Sequence, residues 1–402
     1  MTGAFMKDEL LHTPDGVRDI YNGECARKLA IQQKLHQILL KYGYHDIQTP
    51  TFEFFNIFGK EIGTTPAKDL YKFFDKEGNT LVLRPDFTPS IARSAVKYYV
   101  DEDMPVKLCY MGNTFVNHTD YKGRLKETTQ CGAELMGESQ ISADAEILSM
   151  VVESLRTCGL KEFQISVGHA QFLSGLIDAA GLSEELVLEI RELLFNKNFF
   201  GVEECVASLS IPEELKKLFG LLGSFHTDIK LLQSAKEYAK NYPVILESIG
   251  QLIQLYDFLT IYGIEKYISF EPGIISDYQY YTGIIFSGYT YGTGEPVVRG
   301  GRYDKLLSYY GKNTPAIGFA IQVDQLLAAL SRQKIEIDTP SNSALLVFSE
   351  SHAADAIRKA TILRGQGMMV QTTQFNEAKT REDYFDYAVK NHINRVEFMD
   401  GE

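Results

Sequence analysis

The segment Gln130-Cys131-Gly132-Ala133-Glu134 carries two long polar side chains around a glycine. Strand alternation puts residues 130, 132 and 134 on one face, with open space above the small residue between an amide and a carboxylate. A small polar ligand fits such a gap. Two further stretches combine polar groups with small residues: Leu83-Arg84-Pro85-Asp86-Phe87-Thr88, and Tyr280-Tyr281-Thr282-Gly283 together with Gly300-Gly301-Arg302-Tyr303-Asp304. A polar loop adds Lys122-Gly123-Arg124. Taken one at a time, each of these residues also suits the solvated face of an antiparallel sheet.

The elements that must position these groups are readable in outline. Apolar residues Leu29, Ile31, Leu35, Ile38 and Leu39, closed by Gly43, predict an amphipathic helix over 24–42. A short strand over 45–50 ends at Pro50, as an edge strand does. Segments 71–74 and 80–83, separated by Asp75-Lys76-Glu77-Gly78-Asn79, predict a hairpin, and 106–115 pairs with 127–137 across a polar loop. Strand signals then vanish between 171 and 262, where Leu, Glu and Lys recur at helical spacing, and resume at 274–286 and 296–299 before a helix over 323–331. After the break at 338–343 come strand 344–348, helix 353–364, strand 368–371 and helix 383–390, a small α/β unit. The pattern is α+β.

Composition narrows the function classes. A chain of 402 residues with 45% hydrophobic and 23% charged residues has enough apolar material for two or three domains. Its net charge of -13 lacks the broad basic field on which nucleic-acid binding relies. Five cysteines without a C-x-x-C pair indicate neither a disulfide framework nor a zinc ribbon, so no metal is expected and the expected compartment is reducing. The first residues reach Lys7-Asp8-Glu9 before any signal-like apolar run, and no stretch holds about 20 uninterrupted apolar residues; a cytoplasmic protein without a membrane span is expected.

In order and spacing the three clusters resemble class II histidyl-tRNA synthetases over roughly the first 330 residues. The resemblance takes in Asp15-Gly16-Val17-Arg18-Asp19, a motif 1 strand ending at Pro50, and Ala316-Ile317-Gly318-Phe319-Ala320 of motif 3. It implies a synthetase-like antiparallel sheet flanked by helices over 1–170 and 263–335, a helical insertion over 171–262 and a truncated anticodon-binding-like α/β domain over 341–402. It also implies a histidine site, with Asp86, Thr88 and Gln130 around the α-amino group, Glu134 and Tyr281 at the imidazole, and Arg124 and Tyr303 lining the pocket. An ammonium wants a carboxylate and neutral acceptors, and an imidazole N–H wants an acceptor, which these residues supply. The chain departs from the pattern at Asp86, where the synthetase has Glu, and at Phe87, where it has Gly.

Amino-acid activation by ATP needs cations on the phosphates. The three synthetase arginines fall here on Val116, Ser276 and Gln325, none of them charged. One lost transition-state donor costs about 3 kcal/mol, so the resemblance implies no adenylate formation, no catalytic residues and no cofactor. His118 in the altered motif 2 loop reads as a solvated residue. A histidine pocket without phosphate-handling arginines resembles the synthetase-like regulatory paralogues of ATP phosphoribosyltransferase. That implies an allosteric role in the first step of histidine biosynthesis, with histidine as feedback effector and the short-form catalytic subunit as partner in a hetero-oligomer. A homodimer through the motif 1 region is implied, and no tRNA. Two alternatives stay open: an active histidyl-tRNA synthetase, and a histidine-sensing module for another partner.

Overall fold

An eight-stranded sheet carries Gln130–Glu134 and Gly300–Arg302, while residues 83–88 link a small separate sheet to a helix. The computed structural model describes residues 11–59, 65–99, 101, 105–118, 124–223, 228–274, 280–339 and 342–400, which form two compact units, 1–18 with 31–336 and 19–30 with 337–402. Helix α1 (Asn22–Lys41) buries Ile31, Leu35, Ile38 and Leu39 at the spacing of one helix face. It leads to β1 (His45–Asp46), β2 (Phe52–Phe54), β3 (Lys72–Phe74), β4 (Thr80–Leu83) and helix α2 (Thr88–Tyr98). The long strands β5 (Val106–Phe115) and β6 (Glu127–Met136) follow, then α3 (Ile141–Thr157) and β7 (Phe163–His169).

Six helices come next: α4 (Ala170–Ala180), α5 (Glu184–Phe195), α6 (Phe199–Ala207), α7 (Glu213–Gly220), α8 (Ile229–Ala239) and α9 (Pro243–Tyr262). Helix α9 is long and apolar enough to cross a bilayer by length and composition alone, with a mean hydropathy of 1.3. It nevertheless carries Glu247 and Asp257, and it buries Ile245, Ile249, Leu252, Leu255 and Leu259 along one stripe while packing on α3, α4 and α8. The chain then completes the sheet with β8 (Ile268–Phe270), β9 (Ile284–Thr290), β10 (Val298–Arg302) and β11 (Ala316–Gln322), and closes the first unit with α10 (Val323–Arg332).

The strand order is β1-β5-β6-β11-β10-β9-β7-β8. Neighbours from β5 to β7 pair antiparallel, whereas the edge strands β1 and β8 pair parallel to β5 and β7. The expected hairpin exists as β3 and β4, but with β2 it makes a separate three-stranded sheet. Two expectations need correction. A strand over 274–286 begins only at Ile284, and residues 275–279 lie outside the described residues. The strand expected over 296–299 runs over Val298–Arg302, because the double glycine Gly300-Gly301 stays in the ladder between β9 and β11 instead of ending it.

In the second unit, β12 (Ser343–Phe348) is the centre of a parallel three-stranded sheet between β13 (Met369–Gln374) and β14 (Arg395–Met399). Helices α11 (Ala353–Gly365) and α12 (Arg381–Lys390) provide the crossovers, as parallel pairing requires. Thr380 and Asp383 form a capping box at the start of α12.

Candidate functional site

The register of five strands builds the site floor. Directly opposed residues of antiparallel strands share a face. One cross-strand row is Gly112, Gln130 and Gln322; the next is Tyr110, Gly132, Ala320, Arg299 and Ser287; the third is Leu108, Glu134, Gly318 and Gly301. Small residues thus surround Glu134. They have to be small: a Cβ at Gly318 would lie 1.7 Å from Glu134 Oε2, and one at Gly132 would lie 2.4 Å from the Tyr110 hydroxyl.

Six of the seven expected histidine-site residues line one cavity: Asp86, Thr88, Gln130, Glu134, Tyr281 and Tyr303. It is narrow, about 20 Å³, room for roughly one water. A ligand of amino-acid size therefore requires side chains to move outward. Glu134 is 1% exposed, and its carboxylate accepts from Thr88 Oγ1 at 2.7 Å and from the Tyr303 hydroxyl at 2.5 Å. Neither donor carries charge, so burial dominates and pushes the Glu134 carboxyl up to about 8. Asp86 holds the backbone N–H of Phe87 at 2.7 Å through Oδ1, yet burial pushes it up to about 6. Asp86 Oδ2 and Gln130 Oε1 are buried acceptors without a hydrogen-bond partner. A cation with N–H groups would satisfy both atoms and ionise both acids.

The seventh residue stands apart. Arg124 Nε pairs with Glu295 at 2.6 Å on the exposed side of the loop, and it is not part of the cavity lining. Of the three positions where synthetase arginines are missing, Val116 follows β5 and donates its N–H to the Lys126 carbonyl at 2.9 Å. Gln325 lies in the first turn of α10, away from the lining, and Ser276 lies outside the described residues.

The clusters divide into groups that line the cavity and groups that hold the fold. Arg84 donates to the carbonyls of Thr49 and Asn113, each at 2.8 Å, and its guanidinium lies 4.0 Å from the centre of the Phe87 ring. Phe87 in turn stacks on Tyr110 at 4.5 Å, so the bulkier residue fills core space and leaves Asp86 at the cavity. Arg302 faces away from the cavity and donates to Asp144 at 3.0 Å and to the Glu138 carbonyl at 2.8 Å. Asp304 braces the same corner by accepting from Arg302 and from the Ala316 N–H.

The cavity also includes Arg299, Gln322 and Tyr280, which sequence reasoning missed as ligand groups. A signal existed for Arg299: alternation along Arg299-Gly300-Gly301 places it on the same face as Gly301 once the glycines are read as strand.

Comparison with known proteins shows the family and the fold. The family described as histidyl-tRNA synthetase matches residues 16–326. A protein of Acetivibrio thermocellus named ATP phosphoribosyltransferase regulatory subunit is 35% identical over 366 residues, 91% of this chain and 87% of its own length. A protein of the same name from Thermoanaerobacter pseudethanolicus is 36% identical, covering 94% of this chain and 98% of its own. The crystal structure of an ATP phosphoribosyltransferase regulatory subunit/histidyl-tRNA synthetase from Bacillus halodurans superposes with a TM-score of 0.83 at 29% identity, covering 98% of this chain and 99% of that one. A fold with small residues around a buried acid, and relatives of one name over nine-tenths of the chain, lead to one assignment: the chain belongs to the histidyl-tRNA synthetase-like family of ATP phosphoribosyltransferase regulatory subunits.

Proposed function

We propose that this chain regulates an ATP phosphoribosyltransferase in histidine biosynthesis, binding free histidine in the Glu134 cavity and passing that occupancy to a separate catalytic subunit. The observation that carries the reading is the lining: Asp86 and Glu134 buried together, with Asp86 Oδ2 and Gln130 Oε1 unpartnered. These are acceptors waiting for the ammonium and imidazole N–H groups of a small ligand. The synthetase arginine positions Val116, Ser276 and Gln325 supply no charge for ATP phosphates, so the same pocket binds without activating. Histidine-dependent pyrophosphate exchange by the isolated chain is expected to stay at background.

Regulation requires that histidine bind one arrangement of the hetero-oligomer more tightly than the other. The narrow cavity supplies a reason for such a preference, since a ligand larger than water has to displace part of its lining. Phe52 and Phe54 of β2 stay exposed on one face of the small sheet, an apolar surface suited to a second copy in a homodimer. Neither tRNA nor a membrane enters this account.

The test is co-purification with a short-form catalytic subunit, followed by phosphoribosyltransferase assays. The complex should be active and inhibited by histidine, while the catalytic subunit alone is far less sensitive. Absence of any complex would remove the proposal.

A further inference from the structure

An amino-acid ligand brings a carboxylate as well as an ammonium, and the groups expected to hold it, Asp86, Thr88, Gln130, Glu134 and Tyr281, include no cation. Asp86 and Glu134 make the lining unfavourable for an anion unless a positive group stands with them. Arg124 does not serve, since its guanidinium is committed to Glu295 and lies outside the lining. The cavity contains one arginine among the described residues, Arg299 on β10. It is half-buried, and among the described residues it makes no hydrogen bond or ion pair. An arginine on an interior strand that leaves every guanidinium donor unused is unusual, because the group presents five N–H groups in a fixed fork.

Its place in the sheet explains how it reaches a ligand. Arg299 belongs to the row Tyr110, Gly132, Ala320, Arg299, so a glycine and an alanine separate it from Tyr110. The adjoining row places Gly318 and Gly301 between Glu134 and β9. On β11, between Arg299 and Glu134, the floor residues are Gly318 and Ala320. The same strand places Arg302 on the opposite face, where Asp144 and Asp304 use its charge.

We propose that Arg299 is the carboxylate subsite of this pocket, its guanidinium fork receiving the α-carboxylate of the bound amino acid while Asp86 and Gln130 take the ammonium. The inference rests on the reading that histidine binds in the Glu134 cavity. It assigns the ligand class more narrowly: a free α-amino acid with an unmodified carboxylate, in preference to an amine, ester or amide of the same side chain. A bidentate guanidinium–carboxylate pair is directional, so lysine should replace it only in part.

The experiment is calorimetric titration of the full-length chain with histidine and with histamine, which lacks the carboxylate. Wild type, Arg299→Gln, Arg299→Lys and Glu134→Gln are compared, each with its unfolding midpoint checked. Arg299→Gln should weaken histidine roughly ten- to hundredfold, as expected for loss of a charge-assisted bond, and change histamine less than about threefold. Arg299→Lys should fall between wild type and Arg299→Gln. Histidine affinity unchanged in Arg299→Gln, with Glu134→Gln still impaired, would overturn the Arg299 assignment and leave the pocket reading standing. Equal loss of histidine and histamine would also overturn it, showing that Arg299 shapes the cavity instead of holding the carboxylate. Wild-type histidine affinity in Glu134→Gln would remove the pocket reading itself, and the carboxylate subsite with it.

Discussion

Asp144 and Glu134 are equally removed from water, at 0% and 1% exposure, yet their surroundings are opposite. Burial raises the Asp144 carboxyl to about 6, and the charge and hydrogen bond of Arg302 hold it from rising further. Glu134 faces only two hydroxyls and a second acid, Asp86, and its carboxyl is pushed further, to about 8. The two arginines of β10 complete the contrast: Arg302 is consumed by protein partners, and Arg299 is not. A buried charge that serves the fold is paired within the protein. A buried charge that serves a ligand is left incomplete until the ligand arrives.

Breaking the paired side should have the largest effect. Arg302→Met would leave Asp144 buried without its cation, at a cost of about 3 to 5 kcal/mol in urea denaturation. Loss of less than about 1 kcal/mol would contradict the distinction. The unpaired side should respond in binding instead: Glu134→Gln is expected to weaken histidine by about 1.5 to 3 kcal/mol in calorimetry, with no loss of stability. Lost stability without a selective binding defect would mean that Glu134 only braces β6 against α2.

A third test uses pH. Glu134 at about 8, and Asp86 and Asp144 each at about 6, lie above the ~4 of an unfolded carboxyl, so the ligand-free folded chain holds protons that the unfolded chain releases. Stability should therefore be greatest at the acidic end of this window. It should fall as pH rises from about 4 towards 8, by at most about 1.4 kcal/mol per pH unit for each group. In Glu134→Gln the part of that decline between pH 6 and 8 should disappear from thermal melts; an unchanged slope would show that another group titrates there. The smallest effect is expected at Arg124→Gln, which breaks an exposed pair worth about 0 to 1 kcal/mol and should leave histidine affinity within about twofold.

Legibility in the sequence followed length and local spacing. The alternation Gln130-x-Gly132-x-Glu134, the long pair β5 and β6 and the run of six helices are local patterns, and they are found where expected. Strand β2 has three residues and β1 two, too few to show a period, and β8 pairs with β7 across about a hundred residues of helix. Glycines caused the other misses. Gly300 and Gly301 resemble a turn, yet they belong to a strand crowded by the Phe286 and Tyr281 rings, so the strand runs on past Arg299. Arg124 was placed by likeness of position alone, and its loop spends the charge on Glu295.

The central claim is that the Glu134 cavity is the sensor through which histidine controls a partner's activity. Its most direct test is a histidine titration of phosphoribosyltransferase activity in complexes of verified stoichiometry, assembled with wild-type chain or with Glu134→Gln. The account predicts that the variant complex needs roughly ten- to hundredfold more histidine for half-inhibition. Identical inhibition curves, with histidine binding to the isolated variant chain shown to be lost, would place the sensor on the catalytic subunit and contradict the account.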